Sequence, residues 1–69
     1  MSHHVYRLSE VVGTSPTSVD DAIRTAIRKA AETVHNIEWF ETGQIRGQVV
    51  DGEVAHVQVT LKIGFRVDD

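Results

Sequence analysis

An aromatic ring that can stack, an amide that can pair and an arginine that can hold an anion are the chemistry this sequence offers, in Trp39, Gln58 and Arg46. Taken singly, each has a plainer reading. A tryptophan in a strand usually belongs to a core or an interface, a lone strand glutamine to solvent, and an arginine to an exposed or ion-paired position. The histidines add no catalytic constellation: His3, His4, His35 and His56 show no metal-ligand spacing with a carboxylate on one face, and His3-His4 reads as a loose terminus. The chain has no cysteine, which removes disulfides and any thiolate zinc site. Gly13 alone makes no dinucleotide-binding fingerprint.

Length and charge narrow the classes further. Sixty-nine residues allow one small domain over 1–69, and a core of that size rarely supplies more than roughly 3–5 kcal/mol without disulfides, metal or oligomerisation. With the first excluded and no metal site legible, oligomerisation is the remedy left. Seven Lys plus Arg against ten Asp plus Glu give a formal charge of −3. The basic residues are dispersed, which argues against a nucleic-acid backbone as partner and leaves room for one phosphorylated small molecule. No stretch approaches the roughly 20 apolar residues of a membrane span, and Met1-Ser2-His3-His4 lacks the pattern of a signal peptide. These features fit a cytoplasmic protein.

The elements that must position the three side chains are strands. Val57, Val59, Leu61, Ile63, Phe65 and Val67 alternate with His56, Gln58, Thr60, Lys62, Gly64 and Arg66, the strongest strand signal in the chain. Asp51-Gly52 is a two-residue hairpin turn, so Ile37–Val50 and Glu53–Val67 form a long hairpin. Gly43 and Gly47 mark a bulge, a bend or a close approach in its first arm. Upstream, Val5–Val12 reads as a strand whose alternation slips between Leu8 and Val11, through a bulge or a two-sided environment. From Pro16 to about His35, Val19, Ile23, Ile27, Ala30, Ala31 and Val34 recur three or four apart. That is one amphipathic helix of about 20 residues, with Ser15 as N-cap and Pro16 at its first position. The order is β-α-β-β, an α+β fold.

A regular turn opposes Val50 to Glu53, Ile45 to Gln58, Gln44 to Val59 and Trp39 to Gly64. Opposed residues share a face, so Trp39, Ile45, Gln58, Thr60 and Lys62 are expected away from the helix, and Phe40, Val57, Leu61 and Phe65 against it. A bulge at the turn or at Gly43 would shift this parity. Trp39 and Gln58 are then about six residue pairs apart along the ladder, roughly 20 Å, too far to share one small ligand within a flat subunit. A strand of about 14 residues spans roughly 45 Å, against about 30 Å for a 20-residue helix. One helix cannot cover this sheet, and the overhang is expected to meet other subunits.

Taken together, Val12-Gly13-Thr14-Ser15-Pro16, Ile37-Glu38-Trp39-Phe40-Glu41, Ile45-Arg46-Gly47, Ala55-His56-Val57-Gln58-Val59 and Gly64-Phe65-Arg66 resemble the dodecin family of small flavin-binding proteins. They fall in that family's order and spacing across nearly the whole chain. The resemblance implies a three-stranded antiparallel sheet partly wrapped around one helix, and a homododecamer built from trimers as a hollow shell. It implies flavin, FMN in bacterial relatives, bound in pairs between subunits. Trp39 would stack on the isoalloxazine, Gln58 would pair with its pyrimidine edge and Arg46 would line the pocket near the ligand's polar tail. Coenzyme A is a second ligand of some relatives, with Arg66 and Tyr6 as candidates to hold it.

The function so implied is flavin storage and sequestration, with the indole quenching flavin photochemistry, and no enzymatic activity. A small β-α-β tautomerase would need proline after the initiator Met, where this chain has Ser2. The alternatives are a β-α-β-β interaction or scaffold module without cofactor, and an oxidoreductase that turns its flavin over with a nicotinamide donor.

Overall fold

A computed structural model describes residues 3–67. Strand β1 (Tyr6–Ser15) leads into helix α1 (Val19–Ala30), followed by β2 (Ile37–Val50) and β3 (Glu53–Arg66). The strands form one antiparallel sheet in the order β1-β3-β2. The β-α-β-β order and both arms of the hairpin agree with the alternation that predicts them.

The helix is shorter than its periodicity suggests. It has 12 residues, about 18 Å. Its N-cap is Ser18, whose hydroxyl accepts the Asp21 N–H at 3.0 Å. Ser15, expected as the cap, is instead the last residue of β1, opposite Val57, and is buried. Its Oγ accepts the N–H groups of Thr17 and Ser18 and donates to Asp21 Oδ2 at 2.6 Å. Pro16 therefore lies in the bend and not in the helix. At the other end the four-residue helical bonds give way to three-residue ones, Glu32 N–H to Lys29 O and Thr33 N–H to Ala30 O. Asn36 then takes a left-handed conformation, φ 64°, that ends any helical continuation.

Ala22, Ala26, Val59 and Leu61 form the core, with Val11, Val19, Ile23, Ile27 and Val57 packed around it. The small helix residues let α1 press onto β1 at Gly13, where an added Cβ would collide with the Ala22 carbonyl oxygen and the Ala26 side chain. The helix packs on β1 and β3. A groove of about 410 Å3 runs between its Ile23 and Ile27 flank and Phe40 of β2. Phe40, Ile45, Val49, Val50 and Val54 remain about half exposed or more. The subunit measures 57 × 20 × 13 Å. Its accessible surface is 5235 Å2, against about 4,300 Å2 for a compact monomer of this mass.

The β1–β3 ladder runs without a register shift from Tyr6↔Arg66 to Ser15↔Val57. The irregular alternation in β1 thus reflects two apolar faces and no bulge: Val11 joins the core, while Leu8 and Val12 lie on the outer face, half exposed. The β2–β3 ladder has three shifts, between Gln48 and Val49, between Thr42 and Ile45, and between Ile37 and Trp39. The first inserts Ala55 on β3 and the second inserts a residue at Gly43-Gln44 on β2, so the two cancel. Trp39 accordingly opposes Gly64, as a regular turn requires, but the residues between the shifts do not follow that register. Ile45 opposes Val59 and shares the core-facing side, while Arg46 opposes Gln58. The expected Ile45–Gln58 and Gln44–Val59 pairs are corrected by the inserted Ala55.

Candidate functional site

The outer face of the sheet, opposite α1, carries two groups of functional side chains. At the end far from the hairpin turn, Trp39 opposes Gly64, and Leu8 opposes Gly64 from the other side. The indole lies against this glycine, so that any Cβ there would collide with the ring atoms. Trp39 is 41% exposed. The Tyr6 ring lies 6.5 Å away, centroid to centroid, tilted by 57°.

Tyr6 and Arg66 are ladder partners and converge on one carboxylate. The Tyr6 hydroxyl donates to Glu38 Oε1 at 3.0 Å, and Arg66 Nη1 lies 3.4 Å from Glu38 Oε2. Glu38 is the residue inserted by the shift between Ile37 and Trp39. The hydrogen bond to the anionic carboxylate holds the Tyr6 phenol above its ordinary pKa, because ionisation would sacrifice it, and partial desolvation and repulsion from Glu38 act the same way. The Arg66 charge is answered by Glu38.

Nearer the turn, Arg46, Gly47, Gln48, His56 and Gln58 line a second depression of about 250 Å3. Arg46 opposes Gln58 and Gln48 opposes His56, so two amides, a guanidinium and an imidazole share one patch. Between them Gly47 permits close strand approach: a Cβ there would sit 2.8 Å from the His56 carbonyl oxygen. Among the described residues, no three His, Asp or Glu side chains are grouped to hold a metal ion.

The structure thus joins Tyr6, Trp39 and Arg66 in one cluster and Arg46 with Gln58 in another. The two clusters are not joined within a subunit, being separated by about six residue pairs or roughly 20 Å. Glu38, Gln48 and His56 are the participants that sequence reasoning passes over. Glu38 precedes Trp39 in a strand, where alternation alone places it on the opposite face, and only the inserted residue makes its contacts intelligible. Gln48 and His56 could have been found as polar partners had the Ala55 insertion been known.

The family model for dodecin matches residues 5–68, a span that includes both clusters and all three strands. The chain belongs to the dodecin family. A curated dodecin from Thermus thermophilus is 38% identical over 65 residues, covering 94% of each chain. Two solved structures are closely similar. The dodecin from Streptomyces davaonensis is 54% identical with a TM-score of 0.93, covering 99% of this chain and 100% of its own. That from Streptomyces coelicolor is 55% identical, again with a TM-score of 0.93, covering 100% of this chain and 99% of its own. Membership accords with the stretches around Trp39, Arg46, Gln58 and Arg66, and the three-stranded sheet on one helix is the family's fold.

Proposed function

We propose that this dodecin binds, stores and sequesters a flavin, FMN being the form that its likeness to bacterial relatives implies. The observation that carries the reading is the Trp39 indole, seated against Gly64 on the outer sheet face and 41% exposed. An isoalloxazine stacked there gains aromatic contact beyond the area it buries. The Gln58 amide offers a donor and an acceptor to the alternating C=O and N–H groups of the flavin's pyrimidine edge. Arg46, on the same face, suits the anionic tail. When bound, the flavin supplies an electron-accepting excited state, and the electron-rich indole quenches it. The bound ring is thereby kept from photochemistry and from substrates, a carrier's role and not an enzyme's.

The separation of roughly 20 Å between Trp39 and Gln58 supports reading the complete pocket as a property of an assembly, in which one subunit's tryptophan would meet another's glutamine. The half-exposed Phe40, Ile45, Val49 and Val50 of β2 are the surface such an assembly would cover, and the homododecamer of trimers is the form proposed. Coenzyme A is the second proposed ligand, with Tyr6 and Arg66 at its site. There its phosphates would compete with Glu38 for Arg66. A cytoplasmic location is proposed with the same reading, and among the described residues no helix is long and apolar enough to cross a membrane.

The test is a titration of FMN followed by flavin fluorescence, with native mass measured on the same sample. Binding should quench strongly in the assembled protein and much less in Trp39→Ala. Equal quenching in the variant, or full binding by a dissociated subunit, would defeat the reading.

A further inference from the structure

We propose that Tyr6 and Glu38 form an electron and proton relay for Trp39: when the indole has lost one electron, the Tyr6 phenol refills it and hands its proton to the Glu38 carboxylate. The chain holds one tryptophan, one tyrosine and no cysteine. Few of its side chains therefore give up a single electron readily, and two that do stand side by side. Their ring centroids are 6.5 Å apart with the planes tilted by 57°, inside the range of about 4.5–7 Å for contacting aromatic pairs. Three strands build this arrangement. Tyr6 comes from β1 and Arg66, its ladder partner, from β3. Glu38 and Trp39 are neighbours in β2, where the register shift inserts Glu38. The carboxylate is held from two sides: Oε1 accepts the Tyr6 hydroxyl at 3.0 Å, and Oε2 lies 3.4 Å from Arg66 Nη1. The ring that gives the electron is thus already bonded, through its own proton, to a base.

The step balances within these residues. Oxidation of Trp39 leaves an indole radical cation, one electron short. One electron passes from the Tyr6 ring to the indole, which returns to its closed-shell form. Where the indole has meanwhile released its N–H proton to water, it takes one back as the electron arrives. A phenol that has lost an electron is a far stronger acid than the phenol itself, so the Tyr6 O–H bond breaks toward Glu38 Oε1 in the same step. The products are an intact indole, a neutral phenoxyl radical and a protonated Glu38. The proton is there to be moved, because the hydrogen bond to Glu38 holds the phenol above its ordinary pKa and so protonated at neutral pH. With no base in hydrogen-bond reach, the same transfer would have to leave a charged phenol radical cation, a much less favourable product.

The use of the relay rests on the function proposed above, in which the acceptor of the first electron is the photoexcited flavin stacked on Trp39. Moving the electron deficit to Tyr6 takes it out of the stack. Tyr6 and the Glu38 side chain are both more than a third exposed. A soluble reductant of the thiol or ascorbate class can therefore reach the phenoxyl oxygen and supply one electron, while Glu38 gives its proton back. Any other one-electron oxidant of indole starts the same sequence, so the relay itself can be tested without flavin.

The experiment generates azide radicals by pulse radiolysis in flavin-free protein, which oxidise indole first, and follows the indolyl and phenoxyl absorptions together. The indolyl signal should decay as the phenoxyl signal rises, at one rate that does not change with protein concentration. Tyr6→Phe should leave the indolyl signal long-lived, and Trp39→Phe should remove the slow phenoxyl rise. Glu38→Gln keeps an oxygen to accept the hydrogen bond but takes up no proton. It should slow the transfer about a hundredfold, the low end of what a positioned base contributes. An unchanged rate in Glu38→Gln would overturn the part given to Glu38, and indolyl decay without a phenoxyl rise would overturn the relay. FMN binding and quenching are measured on the same samples. Quenching without transfer defeats the relay alone, and transfer without FMN binding defeats the flavin reading alone.

Discussion

Adding one methyl group at Gly64 should weaken ligand binding about tenfold while sparing the fold. A Cβ at this position would lie 2.6 Å from Trp39 Cδ2, and closer still to neighbouring atoms of the same ring, against 3.4–4 Å for ordinary contact. The indole in Gly64→Ala must therefore rise from the sheet by about an ångström or rotate away. Its half-exposed position makes that displacement inexpensive, about 0.5–1.5 kcal/mol for an off-rotamer ring. Replacing glycine in a strand stabilises by a similar amount, about 0.4–1 kcal/mol, through the unfolded chain. Since Gly64 has no positive φ, the two effects nearly cancel and the unfolding midpoint should barely move. Stacking of the flavin depends on the lost geometry, and forfeiting about 1.4 kcal/mol of it weakens FMN about tenfold. The emission of the sole tryptophan should shift to longer wavelength in the same variant. An unchanged emission spectrum with FMN affinity preserved would refute the account of Gly64 as the seat of the indole.

Two further outcomes follow from contacts elsewhere. Gly13→Ala places a Cβ against the Ala22 carbonyl oxygen and the Ala26 side chain, backbone and core that cannot swing aside, so urea unfolding should show a loss of about 1–3 kcal/mol. The sole tyrosine should ionise in an ultraviolet titration at a pH above the ordinary value near 10, because Glu38 accepts its proton in a hydrogen bond. A pKa raised in the folded state means that this contact supports the fold fully below the unfolded value near 10 and loses its effect as pH rises through the folded one. In Glu38→Ala the titration should return toward the ordinary value.

Much of this arrangement is legible from residue order, and the limits of that legibility are physical. Alternation in β3 needs no partner to be read, because a strand buried on one face must repeat every two residues. The helix period is likewise visible, but its ends are set by interactions that periodicity does not carry. Ser15 stays in the sheet because it pairs with Val57, and Ser18 takes over as cap. The position of Trp39 over Gly64 follows from a regular turn only because the inserted residues at Ala55 and Gly43-Gln44 cancel. Ile45, Arg46 and Gln58 lie between those insertions, and their pairing is the part that pattern alone misplaces. The convergence of Tyr6 and Arg66 on Glu38 depends on how β1 docks beside β3, a long-range choice that no local spacing encodes.

The short helix under one end of a long sheet also bears on how the chain tolerates change. The core residues Ala22, Ala26, Val59 and Leu61 answer to neighbours within their own subunit, so a substitution among them is felt once per fold. In the assembly proposed above, residues along β2, left uncovered at Phe40, Ile45, Val49 and Val50, would answer to another copy carrying the same substitution. In a closed symmetric assembly each such change recurs at every equivalent contact, so a few tenths of a kcal/mol per subunit are multiplied by the number of copies. In such an assembly, small drifts in β2 would act as abrupt shifts between assembled and dissociated protein, while equal drifts in the core would remain gradual.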